Sequence, residues 1–334
     1  MKYRRLGKSN LRVSEICLGT MMFGDQTDEA QAASMLDRAR ERGVNFIDTA
    51  DVYKKGASER MLGPLIARDR DQWVLATKAG NQMSDLPNES HYSRKWLLRA
   101  VQDSLSRLQT DYIDILYMHR DFEGEDLGEA MHTFADLIRA GTIRYFGLSN
   151  FRGWRVAEVI RLCDQIGMPH PVVCQPYYNL LNRMPEVEIL PSCAHYRIGV
   201  VPYSPIARGV LTGKYQQGVA PEQGSRAARS ERRIMQTEWR PESLDIAQTL
   251  REHAQQRGVS AVQFAVAWLL ANRIISSVIA GPRTPEQCDD YFGEIDYKWT
   301  EQDEALIDSL VAPGHPSTPG FSDPQYPFFG RVLG

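Results

Sequence analysis

The sequence predicts an α/β protein folded as a single (β/α)8 TIM barrel, on three observations. Eight short apolar runs recur along the 334 residues, helical patterns separate them, and no composition shift marks a second domain. Short, mostly apolar strands alternating with helices call for parallel pairing buried on both faces. An open doubly wound sheet also alternates in this way and is the competing fold.

The elements follow in order. A hairpin opens the chain at residues 3–13: Tyr3 to Leu6, a turn over Gly7-Lys8-Ser9-Asn10, then Leu11 to Val13. The eight strands are expected at Ile16–Gly19, Asn45–Asp48, Trp73–Lys78, Ile113–Met118, Tyr145–Ser149, Val172–Gln175, Val200–Tyr203 and Ser277–Ala280. Between them, leucine and alanine at helical spacing predict a helix over Asp28–Glu41 with Thr27 as its cap. Ser58–Ala67, Ser93–Leu108, Leu127–Arg139, Trp154–Ile166 and Glu186–His195 carry the same pattern. Two segments break the rhythm. Residues 205–239 form a long polar insertion rich in arginine, glycine and alanine, of a length expected for a lid or binding loop. The tail, 312–334, has too much proline and glycine for a regular helix, yet its aromatics Phe321, Tyr326, Phe328 and Phe329 predict that it packs, with the barrel mouth beside the substrate as the expected place.

Bulk properties narrow the function. An apolar fraction of 43% is ample for a core, and a net charge of -3 gives no reason to expect nucleic acid or an anionic membrane as partner. Five scattered cysteines with no CxxC pair argue against a disulfide framework or a metal site and fit a reducing cytoplasm. The first residues, MKYRRLGKSN, do not resemble a signal peptide. Ala261 to Ala271, the longest apolar stretch, is short of the roughly 20 residues a membrane span needs.

Four polar residues carry the chemistry. Asp48, Tyr53, Lys78 and His119 each stand at the downstream end of, or just beyond, an apolar strand run, on three successive strands. Parallel strands would bring all four to one face. Tyr53 is a poor acid at neutral pH unless a cation stabilises its anion, since a phenol ordinarily ionises near pH 10. Lys78 supplies that cation, Asp48 anchors the lysine, and His119 polarises a carbonyl oxygen. Taken singly, Asp48 reads as a helix cap or ion-pair partner, Tyr53 as an amphipathic loop residue and His119 as a satisfied structural histidine. An unpaired amine ending a buried strand is harder to dismiss. Together the four point to proton transfer to a carbonyl, by a small-molecule enzyme. Phe23, Tyr53, His119, Phe151 and Tyr178 are the expected substrate pocket. A Schiff-base aldolase using Lys78 is the alternative that residue chemistry leaves open.

At these residues the chain resembles the aldo-keto reductase family, through ICLGTMMFG, NFIDTADVY with GASERMLG, WVLATKAG, DYIDILYMHRD, GTIRYFGLSNF, VCQPYYNLLNR, VVPYSPIARGVLTGKY and IAGPRTPEQ in order. The resemblance implies a barrel that binds NADPH/NADP+ rather than NADH, in extended form, with Tyr53 as proton donor. It implies Thr20, Met21 and Asp48 beside the cofactor, Ser149, Asn150 and Gln175 on the nicotinamide carboxamide, and Tyr203 stacked on the ring. Ser204, Ile206, Arg208 and Gly209 match the pyrophosphate cradle, with Lys214 and Arg226 closing over it. Gly281, Arg283, Gln287 and Asp290 match the adenosine end, with Arg283 on the 2′-phosphate. Tyr291 stands where the family often has asparagine, and Pro282 removes a backbone donor there. The potassium-channel β subunits share this architecture and give a second reading, a nucleotide-binding regulatory subunit. Because the chain begins directly at the hairpin, the enzyme is the expectation.

Overall fold

The computed structural model describes residues 1–293 and 297–327; Phe328 and Phe329 of the predicted tail lie outside the described residues. The chain clusters into two compact units. The first comprises Met1–Pro176, Glu188–Tyr203 and Arg273–Glu294, and the second Tyr177–Val187, Ser204–Asn272 and Ile295–Gly334.

In the first unit, β1 (Tyr3–Arg5) and β2 (Arg12–Ser14) form the predicted antiparallel hairpin, with Arg4 facing Val13. Then come β3 (Ile16–Gly19), β4 (Phe46–Asp48), β5 (Val74–Ala79), β6 (Ile113–Met118), β7 (Ile143–Ser149), β8 (Val173–Gln175), β9 (Gly199–Val200) and β10 (Val278–Ala280). These eight form one parallel sheet in the order β10-β3-β4-β5-β6-β7-β8-β9. The sheet closes, because Ser276 donates to the Val200 carbonyl at 2.8 Å and Ile279 to that of Pro202 at 3.1 Å, joining β9 to the approach to β10. The fold is a (β/α)8 barrel, and all eight predicted strands are present.

The hairpin seals the end where the strands begin. Leu6 and Val13 are wholly buried in a cluster with Cys17, Phe46, Ala76, Ile115 and Val173. Gly7 makes the approach possible: its φ is +57°, and a Cβ there would lie 2.6 Å from Gly199 N and Val172 O.

Helices α1 (Glu29–Glu41), α2 (Ala57–Ile66), α3 (Arg94–Leu108), α4 (Gly128–Arg139), α5 (Gly153–Ile166) and α6 (Ile189–Tyr196) follow the predicted ones within a few residues. The cap of α1 is a correction. Asp28, not Thr27, accepts from Gln31 N and completes a capping box, while the Thr27 hydroxyl donates to the Arg283 carbonyl at 2.9 Å.

The second unit contains most of the helices that periodicity did not mark: α7 (Arg232–Thr237), α8 (Pro241–Gln256), α9 (Ala261–Ala271) and α11 (Glu301–Leu310), with α10 (Pro285–Phe292) in the first unit. The stretch Ala261–Ala271 is α9, apolar on nearly every side and therefore lacking a polar stripe to announce it. The insertion at 205–239 is not wholly loop, since α7 and a short 3-10 segment at Ala207–Thr212 lie within it. The tail packs within this unit: Arg240 lies 3.9 Å from the Phe321 ring centre, and Arg233 grips both oxygens of Asp323. Among the described residues no helix is long and apolar enough to cross a membrane.

Asp303, wholly buried on α11, accepts from Thr300 N and Oγ1, His253 Nε2 and Tyr297 Oη at 2.6–3.0 Å. Burial opposes its charge, but these hydrogen bonds outweigh it and hold the carboxyl down at about 2. A carboxyl depressed by folding stabilises fully above its ordinary pKa of about 3.9, and that stabilisation is lost as pH falls toward the folded value. Asp303→Asn should therefore lower neutral-pH stability by about 1–3 kcal/mol and flatten the acid limb of a denaturant-melting series. An unchanged acid limb would refute the role.

Candidate active site

The ends of β4, β5 and β6 build the centre. Parallel register sets Asp48 beside Ala76 and Lys78 beside Tyr117, and His119 follows β6 directly. Lys78 is 1% exposed, and its ammonium has three donors. One goes to Asp48 Oδ1, one to the Thr49 carbonyl at 2.7 Å, and one to Tyr53 Oη at 3.3 Å. The second Asp48 oxygen accepts from Gln175 Nε2 at 2.8 Å. The His119 ring stands edge-on to Tyr53, with centroids 6.1 Å apart. All four predicted residues meet.

Local chemistry aims the phenol. Lys54, Lys55 and Gly56 are successively left-handed, a sharp reversal that sends the chain from Tyr53 into α2. Ser58 ties the reversal down, donating to the Thr20 carbonyl at 2.8 Å while its hydroxyl shares hydrogen bonds with Thr20 and Thr49. Thr20 is thus a buried strut, and Met21 beside it is exposed.

Burial works against the charge on Lys78, but Asp48 and Tyr53 overcome it and raise its pKa. The ammonium is locked on. His119 goes the other way: burial, then the cations Lys78 and Arg120, push its pKa well below the ordinary histidine value. Its Nδ1 is buried with no hydrogen-bond partner among the described residues.

Asn150, at φ +60°, joins the next strand ends to this centre. Its Nδ2 donates to the His119 carbonyl and to Ser149 Oγ, both at 3.0 Å, and its Oδ1 accepts from Tyr203 Oη at 2.8 Å. Ser149 Oγ reaches the Gln175 carbonyl at 3.1 Å. Phe23 and Phe151, read as pocket aromatics, are fully buried. Reasoning from sequence missed Tyr92, Phe122 and His91, on the segments leaving β5 and β6. The Tyr92 hydroxyl bonds both the carbonyl (2.5 Å) and the N–H (3.1 Å) of Arg120, and Phe122 packs edge-on against His91 and Tyr92. The only sequence signal was aromatic residues in otherwise polar post-strand segments.

At the α10 end of the first unit, Gln287 Oε1 accepts from Arg283 N at 2.9 Å, fixing the backbone that carries the guanidinium, while Gly281 and Asp290 are exposed. In the second unit, Ser204, Ala207, Arg208 and Gly209 all have positive φ, and Asn179 Nδ2 holds the Ser204 carbonyl at 3.0 Å. Ile206 caps the 3-10 segment Ala207–Thr212. Arg208 lies 3.2 Å from buried Glu238, and Arg226 binds both Glu231 oxygens at 2.8 Å. Lys214 is exposed. The Tyr178 hydroxyl is engaged by Glu186 at 2.8 Å and its ring by Trp268.

A family profile described as the Aldo/keto reductase family matches residues 15–312. The chain belongs to the aldo/keto reductase family. Among curated relatives, a probable voltage-gated potassium channel subunit beta of Arabidopsis thaliana is 34% identical, covering 89% of this chain and 92% of the relative. The uncharacterized oxidoreductase YrpG of Bacillus subtilis is 33% identical over 97% and 99% of the two chains. L-glyceraldehyde 3-phosphate reductase of Escherichia coli K12 is 32% identical over 94% and 93%. As an aldo/keto reductase the chain is an oxidoreductase using a nicotinamide cofactor. The donor set fits such a ligand: a half-buried Tyr203 ring, anchored through its hydroxyl, stands among the polar strand ends Ser149, Asn150 and Gln175. A lysine locked on as ammonium is also the wrong form for Schiff-base attack.

The depressed His119 should leave a neutral imidazole throughout the range from about pH 6 to 8. NMR of the labelled ring should show no titration there, and Lys78→Met, by removing one cation, should move its midpoint upward. A wild-type midpoint near the ordinary histidine value would contradict this electrostatic picture.

Proposed function

We propose that this aldo/keto reductase reduces aldehydes or ketones to alcohols with NADPH, Tyr53 donating the proton. The observation that carries the reading is the 3.3 Å contact between Lys78 Nζ and Tyr53 Oη, with the ammonium anchored by Asp48. When bound, the nicotinamide supplies the hydride. Lys78 stabilises the phenolate left on Tyr53 as the hydroxyl gives its proton to the carbonyl oxygen. His119, neutral and edge-on to the phenol, donates a hydrogen bond to that oxygen and stabilises developing negative charge. Asp48 and Gln175 keep the lysine in place while Tyr203 and Asn150 order the cofactor side. In the second unit, the left-handed turn at Ser204–Gly209 with Arg208, Lys214 and Arg226 offers N–H groups and cations suited to the diphosphate.

Arg283 supports the phosphorylated cofactor, since a planar guanidinium suits phosphate. The pocket aromatics suit apolar or aromatic aldehydes or sugars, and the likeness to the L-glyceraldehyde 3-phosphate reductase adds short polar aldehydes as candidate substrates. The likeness to channel β subunits favours a second reading, a nucleotide-binding regulatory subunit; the complete set of four polar residues supports turnover instead.

Tyr53→Phe should lower kcat by about 10²–10⁴-fold, the usual contribution of a positioned acid, while NADPH affinity by fluorescence titration stays nearly constant. Near-normal turnover would remove Tyr53 from the reaction. Arg283→Ala should weaken NADPH binding by about 1.5–3 kcal/mol, as expected for hydrogen bonds to a charged group, and NADH binding far less. Equal losses for both nucleotides would place the 2′-phosphate elsewhere.

A further inference from the structure

Asp51 lies on the segment between β4 and α2, after Asp48 and before Tyr53. It is 1% exposed, and neither carboxyl oxygen has a hydrogen-bond partner among the described residues. Its N–H donates to the Lys78 carbonyl at 3.2 Å, so the acid is stitched to the residue bearing the ammonium.

The charged groups around it are Glu59 on α2, Arg107 on α3 and Lys78 on β5, and the Tyr92 hydroxyl ahead of α3 feels its charge. Both cations are taken. Arg107 Nε bonds Glu59 Oε2 at 2.6 Å, and Lys78 bonds Asp48. Three carboxyl groups therefore share two cations, and Asp51 is the one left over. An ionised Asp51 would be a buried charge with no cation of its own, which folded proteins avoid by neutralising the group. Burial, then Glu59, raise its pKa well above the ordinary carboxyl value, against weaker opposition from the Val52 backbone, Arg107 and Lys78.

We propose that Asp51 is a neutral carboxylic acid in the working protein and a positioning residue for proton transfer, acting through Lys78 on Tyr53. While Asp51 keeps its proton, the Lys78 charge is answered by Asp48 alone, and its remaining field falls on the phenol. Once Asp51 gives its proton to solvent, a second negative charge faces Lys78 and the Tyr53 hydroxyl becomes a weaker acid. Carbonyl reduction then slows. The catalytic half of this inference rests on the proposed reductase activity.

Infrared difference spectra of the full chain against Asp51→Asn, taken through a pH titration, test the protonation state. The wild type should show a protonated-carboxyl band at neutral pH that the variant lacks; absence of that band overturns the proposal. NMR of labelled tyrosine tests the coupling. Tyr53 should ionise about one pH unit higher in the wild type than in Asp51→Asn, the scale of a nearby like charge, and identical titrations would overturn it. With NADPH and benzaldehyde, the alkaline fall of kcat should have two steps in the wild type and one in the variant, and matching profiles count against coupling. Should Asp51→Asn fold poorly, Asp51→Leu decides: melting at or above the wild-type temperature supports a neutral acid, and melting far below it overturns one. A protein that reduces no carbonyl compound would sink the reductase reading, while the infrared band and the tyrosine titration still decide Asp51.

Discussion

A lysine ammonium buried at the end of a barrel strand is the constraint on which the rest of the site depends. Lys78 is 1% exposed, and removing one partner from such a buried pair typically destabilises by about 3–5 kcal/mol. The molecule answers with a full complement of acceptors: a carboxylate, a carbonyl and a phenol. Each comes from the end of β4 or the segment leaving it, so the register between β4 and β5 fixes where these groups meet as well as the sheet. A slip of one residue would turn Lys78 to the other face of its strand and leave Asp48 without a cation. Position in the fold and the contact between Lys78 and Tyr53 are therefore two results of one pairing.

The same pairing reaches across the strand ends. Gln175 occupies the second Asp48 oxygen, Ser149 bonds the Gln175 carbonyl, and Asn150 links Ser149, the His119 carbonyl and the Tyr203 hydroxyl. Residues read from sequence as cofactor ligands are thus also one another's partners. As the proposed cofactor contacts, they are held in place by bonds made within the protein, so less ordering remains to be done on binding. Asn150 accepts a left-handed conformation to make its bonds, a local cost tolerated where side-chain direction matters.

How much of this could be read in advance depended on whether a signal was local. The eight strands were legible because apolar runs bounded by turn residues are local, and Asp48, Lys78 and His119 because each ends such a run. The cap of α1 was misplaced by one residue: Thr27 and Asp28 are both capping types, and only geometry shows that Asp28 faces Gln31. Helix α9 had no polar face to set its period, whereas α11 carried a local signal that was passed over, the capping box between Thr300 and Asp303. Arg208 and Arg226 read as phosphate-binding cations, but their carboxylate partners Glu238 and Glu231 could not be assigned without coordinates. The isolation of Asp51 was equally invisible, because sequence places an acid without showing which cations have already been claimed.

The opposite electrostatic fates of Lys78 and His119 explain why the phenol, and not the imidazole, is the natural acid. A protonated His119 would place a second cation beside Lys78 in a region with little water to separate them. Burial and Lys78 together drive the imidazole neutral, leaving it a hydrogen-bond donor with no charge to lose. Neutral imidazole is a far weaker acid than a phenol, and a phenol beside an ammonium leaves a stabilised anion when its proton departs. In the proposed reduction, Lys78 therefore assigns both roles: it makes Tyr53 the group that gives a proton and His119 the group that only shares one.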